Sequence, residues 1–188
     1  MQDHEFANEL QAVYRRLWLV AAGLVGDPSD AEDIVQDTAI IAFRKRGEFR
    51  RGTNFAAWVT TILRHCAANH LRKKTGRRTY PADPHEFDQQ TAADGRSVGA
   101  GELVNTRSDT REVSALQEEF DDDLLHVLNG LAPDARCCLL LRVVDSTSYT
   151  EIAQSLGIPE GTAVSHVSRS KHVLRSFFEQ QLRAPTDE

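Results

Sequence analysis

Ser148-Tyr149-Thr150-Glu151-Ile152-Ala153-Gln154-Ser155-Leu156-Gly157-Ile158-Pro159-Glu160-Gly161-Thr162-Ala163-Val164-Ser165-His166-Val167-Ser168-Arg169 reads as two helices joined by a tight turn. Ser148 followed three positions later by Glu151 is a capping box, which starts a helix. Ile152, Ala153 and Leu156 form that helix's apolar side. Gly157 suits the left-handed residue that ends it, and Pro159 suits the first turn of the next helix, where a missing N–H costs nothing. In that second helix Ala163, Val167, Ser170 and Leu174 recur at steps of four, three and four, an inward stripe. The opposite face carries Ser165, Ser168, Arg169 and His172, flanked by Val164, His166 and Lys171. It is small, hydrogen-bonding and partly basic. The pattern is a helix-turn-helix, whose second helix is shaped for the major groove of duplex DNA.

The rest of the chain is helical in period too, with no convincing alternating strand. Leu10, Val13, Tyr14, Leu17, Val20, Ala21 and Leu24 predict a first amphipathic helix, stopped at Gly26-Asp27-Pro28. Ser29 and Glu32 read as a second capping box, opening a helix to about Arg46. Gly47 to Asn54 is a basic loop, and Thr53 or Asn54 can cap a third helix over about Phe55 to Lys74. Phe55, Trp58, Val59, Ile62, Cys66 and Leu71 supply its apolar side, and the inward spacing of Phe55 and Trp58 favours packing for both. Periodicity disappears between Thr79 and Ser114, where Pro and Gly punctuate an acidic stretch, so 79–114 reads as a flexible linker. Leu116, Phe120, Leu124, Val127, Leu128 and Leu131 open a second domain, and Ala132-Pro133 breaks that helix before a short one from Asp134 to about Val144. The expected architecture is all-α: a domain over 1–78, the linker, and a helix-turn-helix domain over 115–183.

Charge sharpens this division. The 188 residues carry a formal net charge of −6, an unusual balance for a nucleic-acid binder until it is mapped. Residues 1–43 hold 2 basic and 8 acidic side chains, residues 44–78 hold 11 basic and 1 acidic, and residues 79–134 hold 3 basic and 13 acidic. Residues 135–188 hold 6 of each. Separate acidic and basic blocks point to several different partners rather than one nucleic-acid coat. No run of about 18 apolar residues exists, so no membrane span is expected. The acidic N-terminus lacks the apolar core of a signal peptide. Three cysteines, Cys66, Cys137 and Cys138, without framework spacing suggest a reducing cytoplasm, with the adjacent pair packed rather than bridged. His65, Cys66 and His70 lack metal-ligand spacing, and no Gly-rich phosphate loop or nucleophile motif is present, so neither metal, cofactor nor catalytic site is expected.

Two further segments resemble one family. Asp30-Ala31-Glu32-Asp33-Ile34-Val35-Gln36-Asp37 is similar to the acidic Asp-Ala-Glu-Asp-Leu-Val-Gln-Glu signature of bacterial sigma factors. Phe55-Ala56-Ala57-Trp58-Val59-Thr60-Thr61-Ile62-Leu63-Arg64 resembles the helix that follows it, and Leu131 through Arg169 resembles the family's second conserved domain. With only two domains, the chain looks like the extracytoplasmic-function (ECF) subgroup.

The resemblance implies a mechanism. Asp33, Gln36 and Asp37 would dock on RNA polymerase core, projecting at helical spacing toward basic side chains. Asp37 lies two turns into its helix, where the helix dipole explains it poorly. The basic loop and third helix would hold the melted −10 strand: Arg50, Arg51, Arg64, Arg72, Lys73 and Lys74 supply charge, while Phe49, Thr53, Asn54 and His65 are candidate base contacts. Thr162, Ser165, His166 and Arg169 would read the −35 duplex, with Lys171 toward phosphate.

The chain also departs from the family. His65 stands where Asn is frequent, Asn69 where Asp is, Val164 where Lys or Arg is, and Ser146 where a turn glycine is. The expected partners are RNA polymerase core and promoter DNA, with an anti-sigma protein as a further candidate and no membrane. A stand-alone helix-turn-helix regulator is the rival reading, and the Asp30–Asp37 motif and the basic third helix argue against it.

Overall fold

The computed structural model of this chain describes residues 1–74 and 122–183, with side chains to Gln180. The 79–114 segment, Arg77, Arg78, Leu116 and Phe120 lie outside the described residues. Within them every regular element is a helix: α1 Asp3–Val25, α2 Pro28–Arg44, α3 Phe55–Lys74, α4 Asp122–Asn129, α5 Pro133–Val143, α6 Tyr149–Leu156 and α7 Glu160–Arg183. None is long and apolar enough to cross a membrane.

Helix α1 begins as the amphipathic helix its sequence predicts, burying Phe6, Leu10 and Tyr14 at steps of four. From Leu17 to Gly23 it is buried on every side, Trp18 and Leu19 included. A single apolar stripe therefore describes only its first half. The reason is packing: α2 and α3 cover α1 on one side and α5 covers it on another. Val13 and Leu24, at the stripe's margin, are only half-buried.

Gly26 ends α1 in the left-handed region, φ 77°. The start of α2 differs from the Ser29–Glu32 capping box. Asp27 is the cap: its carboxylate accepts from the Ser29 backbone N–H at 2.9 Å and, more weakly, from that of Asp30 at 3.5 Å. Pro28 then takes the first helical position, where it forfeits no hydrogen bond. The box reading started the helix too late because it overlooked an aspartate placed directly before a proline.

Helix α3 occupies the predicted span, and of the two proposed caps Asn54 serves, its Oδ1 accepting from the Ala57 N–H at 3.0 Å. Phe55, Val59 and Ile62 are buried as expected and Leu63 and Ala67 join them, while Trp58, Cys66 and Leu71 are half-buried. Phe55 anchors an aromatic cluster, with ring centroids 5.8 Å from Phe6, 5.3 Å from Phe49 and 5.7 Å from Trp58.

Pro133 opens α5, which is buried continuously from Ala135 to Leu141 because it lies between α1 and α7. Cys137 and Cys138 are packed here as free thiols. Burial pushes Cys138 up to about 11 and raises Cys137 as well, so neither is a ready nucleophile. After α5 the chain turns through Ser146, the only described non-glycine residue with positive φ, at 52°.

Candidate nucleic-acid interface

The helix-turn-helix forms by the chemistry its sequence suggests. Ser148 Oγ accepts from the Glu151 N–H at 3.3 Å, and the Ser148 N–H donates to Glu151 Oε2 at 3.1 Å, closing both arms of the capping box. Hydrogen bonds from the Ser148 hydroxyl and backbone hold the Glu151 carboxyl below its ordinary value. Gly157 ends α6 at φ 66°, and the Pro159 carbonyl accepts from Thr162 and Ala163 to begin α7. Thr150 donates to Glu160 at 3.1 Å, tying the first turns of the two helices together. Ala163, Val167 and Ser170 are buried, so the orientation of α7 follows the predicted stripe. Ser168, Arg169, Lys171 and His172 are exposed on the outer side, and Thr162, Ser165 and His166 are half-buried. Val164 leaves an apolar patch, 41% exposed, within this polar surface.

The second basic surface lies on α3 and the loop before it. Phe49 packs on Phe55 and Trp58, both at 5.3 Å, which fixes the loop to the core while leaving the ring half-exposed. Thr53 folds back, its Oγ1 donating to the Arg50 carbonyl at 2.7 Å. Arg50 is exposed, whereas Arg51 reaches Glu5 at 2.7 Å. On α3 itself His65 and Arg72, two turns apart, share an exposed face with Thr61, Ala68 and Asn69. Arg72 leans on Asn69 and on the Ala68 carbonyl, and Lys73 is exposed beside it. Lys74 turns away to α2, pairing with Asp30 at 2.6 Å and Asp27 at 3.6 Å. That bond lowers the Asp30 carboxyl and raises the Lys74 ammonium.

The third surface is acidic. Ala31, Ile34, Val35, Thr38 and Ala42 face the core from α2, and Asp33, Gln36 and Asp37 project from the other side, all exposed. Neither Asp33 nor Asp37 enters an ion pair among the described residues.

Two candidate strand contacts do not face solvent alone. Asn54 Nδ2 donates to Gln154 of α6 at 3.1 Å. Arg64 donates through Nη1 to the Leu156 carbonyl at 2.8 Å and through Nη2 to Asp134 at 3.3 Å. Arg15, Arg16 and Asn129 extend this seam: Arg15 donates to the Val144 carbonyl at 3.2 Å, Arg16 pairs with Asp145 at 3.1 Å, and Asn129 donates to the Gly26 carbonyl at 3.1 Å. Sequence reasoning missed all of these partners. They join residues about a hundred positions apart, and no local periodicity encodes such a pairing.

The Sigma-70 region 2 family matches residues 10–77 and the Sigma-70, region 4 family matches residues 121–172. The ECF RNA polymerase sigma factor SigE of Mycolicibacterium smegmatis is 28% identical over 162 residues, covering 86% of this chain and 57% of that protein. The RNA polymerase sigma-H factor of Pseudomonas aeruginosa is 28% identical over 159 residues, covering 85% of this chain and 78% of that one. A solved structure of the sigma factor RpoE from Bartonella quintana, in complex with the anti-sigma factor NepR, is similar over 98% of this chain and 99% of that one, at 26% identity and a TM-score of 0.59. Carrying both conserved blocks in order, this chain belongs to the sigma-70 family of transcription initiation factors, in its extracytoplasmic-function group.

Proposed function

We propose that the chain directs RNA polymerase to promoters through three separate surfaces. The observation that carries this reading is the segregation of charge onto opposite elements: exposed acids on α2, exposed cations on α3 and its loop, and a small polar face on α7. Asp33, Gln36 and Asp37 dock on basic side chains of polymerase core. Phe49, Arg50, Arg51, Thr53, Asn54, Arg64, His65, Arg72 and Lys73 grip the melted −10 strand, with cations along the backbone and the loop offering a pocket for an unstacked base. Thr162, Ser165, His166, Arg169 and Lys171 read the −35 duplex, the hydroxyl and imidazole groups toward base edges and the cations toward phosphate.

Residues 1–78 and 115–183 act as the two working domains, with 79–114 as their tether. Polymerase performs phosphoryl transfer, and this chain supplies promoter choice and strand opening in the cytoplasm. Its net charge of −6 opposes DNA binding by the free chain, so useful affinity awaits assembly with the larger partner. The Bartonella relative's complex supports an anti-sigma protein as a further partner class.

Co-elution with polymerase core on a sizing column tests the reading. Wild type co-elutes and Asp33→Arg/Asp37→Arg does not, at unchanged helical content. Failure of the wild type to co-elute, together with tight duplex binding by the free chain, would replace this reading with a stand-alone regulator.

A further inference from the structure

We propose that Val164 selects a thymine, its methyl groups packing against the C5-methyl of one thymine in the −35 duplex. The inference rests on the assignment of the outer face of α7 to that duplex. Among the described residues the exposed large apolar side chains are Val143, Val164, Val173 and Phe178. Val143 ends α5, and Val173 and Phe178 lie in the second half of α7. Val164 alone of these stands among the candidate base contacts, at the fifth position of α7, between Thr162 and Ser165. Residues near the N-terminus of a groove-bound helix are the ones that meet base edges. Buried Ala163 and Val167 hold this part of the helix to the core, and the Thr150 hydroxyl, donating to Glu160 at 3.1 Å, ties down its first turn. The fold thereby sets the direction in which Val164 projects.

Chemistry narrows the partner. In the major groove the base pairs present hydrogen-bond donors, hydrogen-bond acceptors and one apolar group, the C5-methyl of thymine. An isopropyl group makes no hydrogen bond, so against a polar edge it strips water from a group that it cannot pair. Against the thymine methyl both surfaces leave water favourably. The neighbours leave room for this contact. Gly161, one turn before Val164 on the same side, is exposed, and a Cβ there would meet nothing within 4 Å. Ser168, one turn after, is small and exposed. Lys171 follows two turns on along the same row, exposed and available to phosphate. β-Branching adds stiffness: a valine in a helix keeps nearly one χ1 rotamer, so little freedom is lost on contact. The same stiffness makes valine a weaker helix former than alanine, and at this exposed position no core packing offsets that deficit.

The test uses the full chain assembled with polymerase core. A preferred duplex is selected from a pool randomised over the −35 region, and each of its thymines is then replaced in turn by deoxyuridine, which removes the methyl and nothing else. Wild type is expected to lose about fourfold in affinity at one thymine, the effect of one methyl group no longer buried. Val164→Ala, an exposed change to a better helix former, keeps the fold and should show no loss at that thymine. Val164→Thr, which keeps one methyl, should retain part of it. Paired with guanine at the same position, 5-methylcytosine should bind wild type more tightly than cytosine does, and Val164→Ala no differently. A selected duplex indifferent to deoxyuridine at every thymine, or a loss of equal size in Val164→Ala, would overturn the proposal. Arg169→Ala separates this failure from failure of the α7 assignment. If it relaxes selection of the preferred duplex while the methyl effect is absent, α7 still reads the duplex and only the Val164 contact falls. If Arg169→Ala and Val164→Ala both leave selection unchanged, the assignment of α7 falls, and the thymine contact with it.

Discussion

Gly23 of α1 and Cys137 of α5 meet with no room for a side chain between them. A Cβ at Gly23 would stand 2.6 Å from Cys137 Sγ and 2.9 Å from the Cys137 backbone N and Cα. Because backbone is among the obstructing atoms, trimming the thiol does not clear the space. Gly23→Ala should therefore cost about 1–3 kcal/mol, and Cys137→Ala should restore only part of that loss. Urea unfolding of the two single variants and the double variant measures both.

The capping box of α6 makes a second prediction. Ser148→Ala removes a side-chain acceptor from the Glu151 N–H and should cost ~1 kcal/mol in thermal or urea unfolding. Its pH dependence follows from the direction of the Glu151 shift. The folded-state value lies below the unfolded one, so this stabilisation is full above the ordinary glutamate value of 4.5 and fades as pH falls through the lowered folded value. Wild type and Ser148→Ala should thus differ most near neutral pH and converge on acidification.

Ser146 holds a left-handed backbone at φ 52°, a conformation that costs most L-residues about 1 kcal/mol or more. Glycine adopts it freely but loses more chain entropy on folding. The balance favours Ser146→Gly by about 0.5 kcal/mol, read as a small rise in melting temperature. A fall in that temperature would mean that the serine side chain compensates the backbone.

The outer face of α7 is expected to divide by chemistry. Lys171→Ala should weaken promoter binding by the assembled polymerase on all sequences alike and lower the slope of log affinity against log salt by about 1. Arg169→Ala should instead cost about 1–3 kcal/mol on the preferred −35 sequence and less on others. Fluorescence titrations at several salt concentrations separate the two.

Much of the fold was legible because local rules acted without competition. Ser148 with Glu151, Gly157, and the Ala163, Val167, Ser170 stripe each decide their own helix, and each behaves as read. The span of α3 was legible for the same reason. At Asp27 two local signals compete, and the aspartate before proline prevails over the later Ser29–Glu32 pair. In the second half of α1 the failure lies elsewhere: a helix covered from several directions loses the polar face on which periodicity depends. Trp18 and Leu19 fall off the predicted stripe yet are wholly buried.

The candidate site divides in the same manner. Residue type and helical spacing bring out the exposure of Asp33, Gln36 and Asp37 and the outward position of Arg169, whereas the packing of Phe49 on Phe55 and Trp58 appears only in the fold. They carry no information on what Arg64 touches, because Leu156 and Asp134 come to it only through tertiary packing.

Coverage of α1 from two directions bears on dissection of the protein. Val20, Ala22 and Gly23 belong to one conserved block, and the α5 surface around Cys137 and Leu140 belongs to the other. Cut the chain within 79–114, and each fragment carries a strip of this apolar surface into water, where it invites self-association. Fragments made alone should be poorly soluble and slow to behave as monomers. Co-expressed, the halves should recover one another, so that a cleaved factor persists as a non-covalent pair.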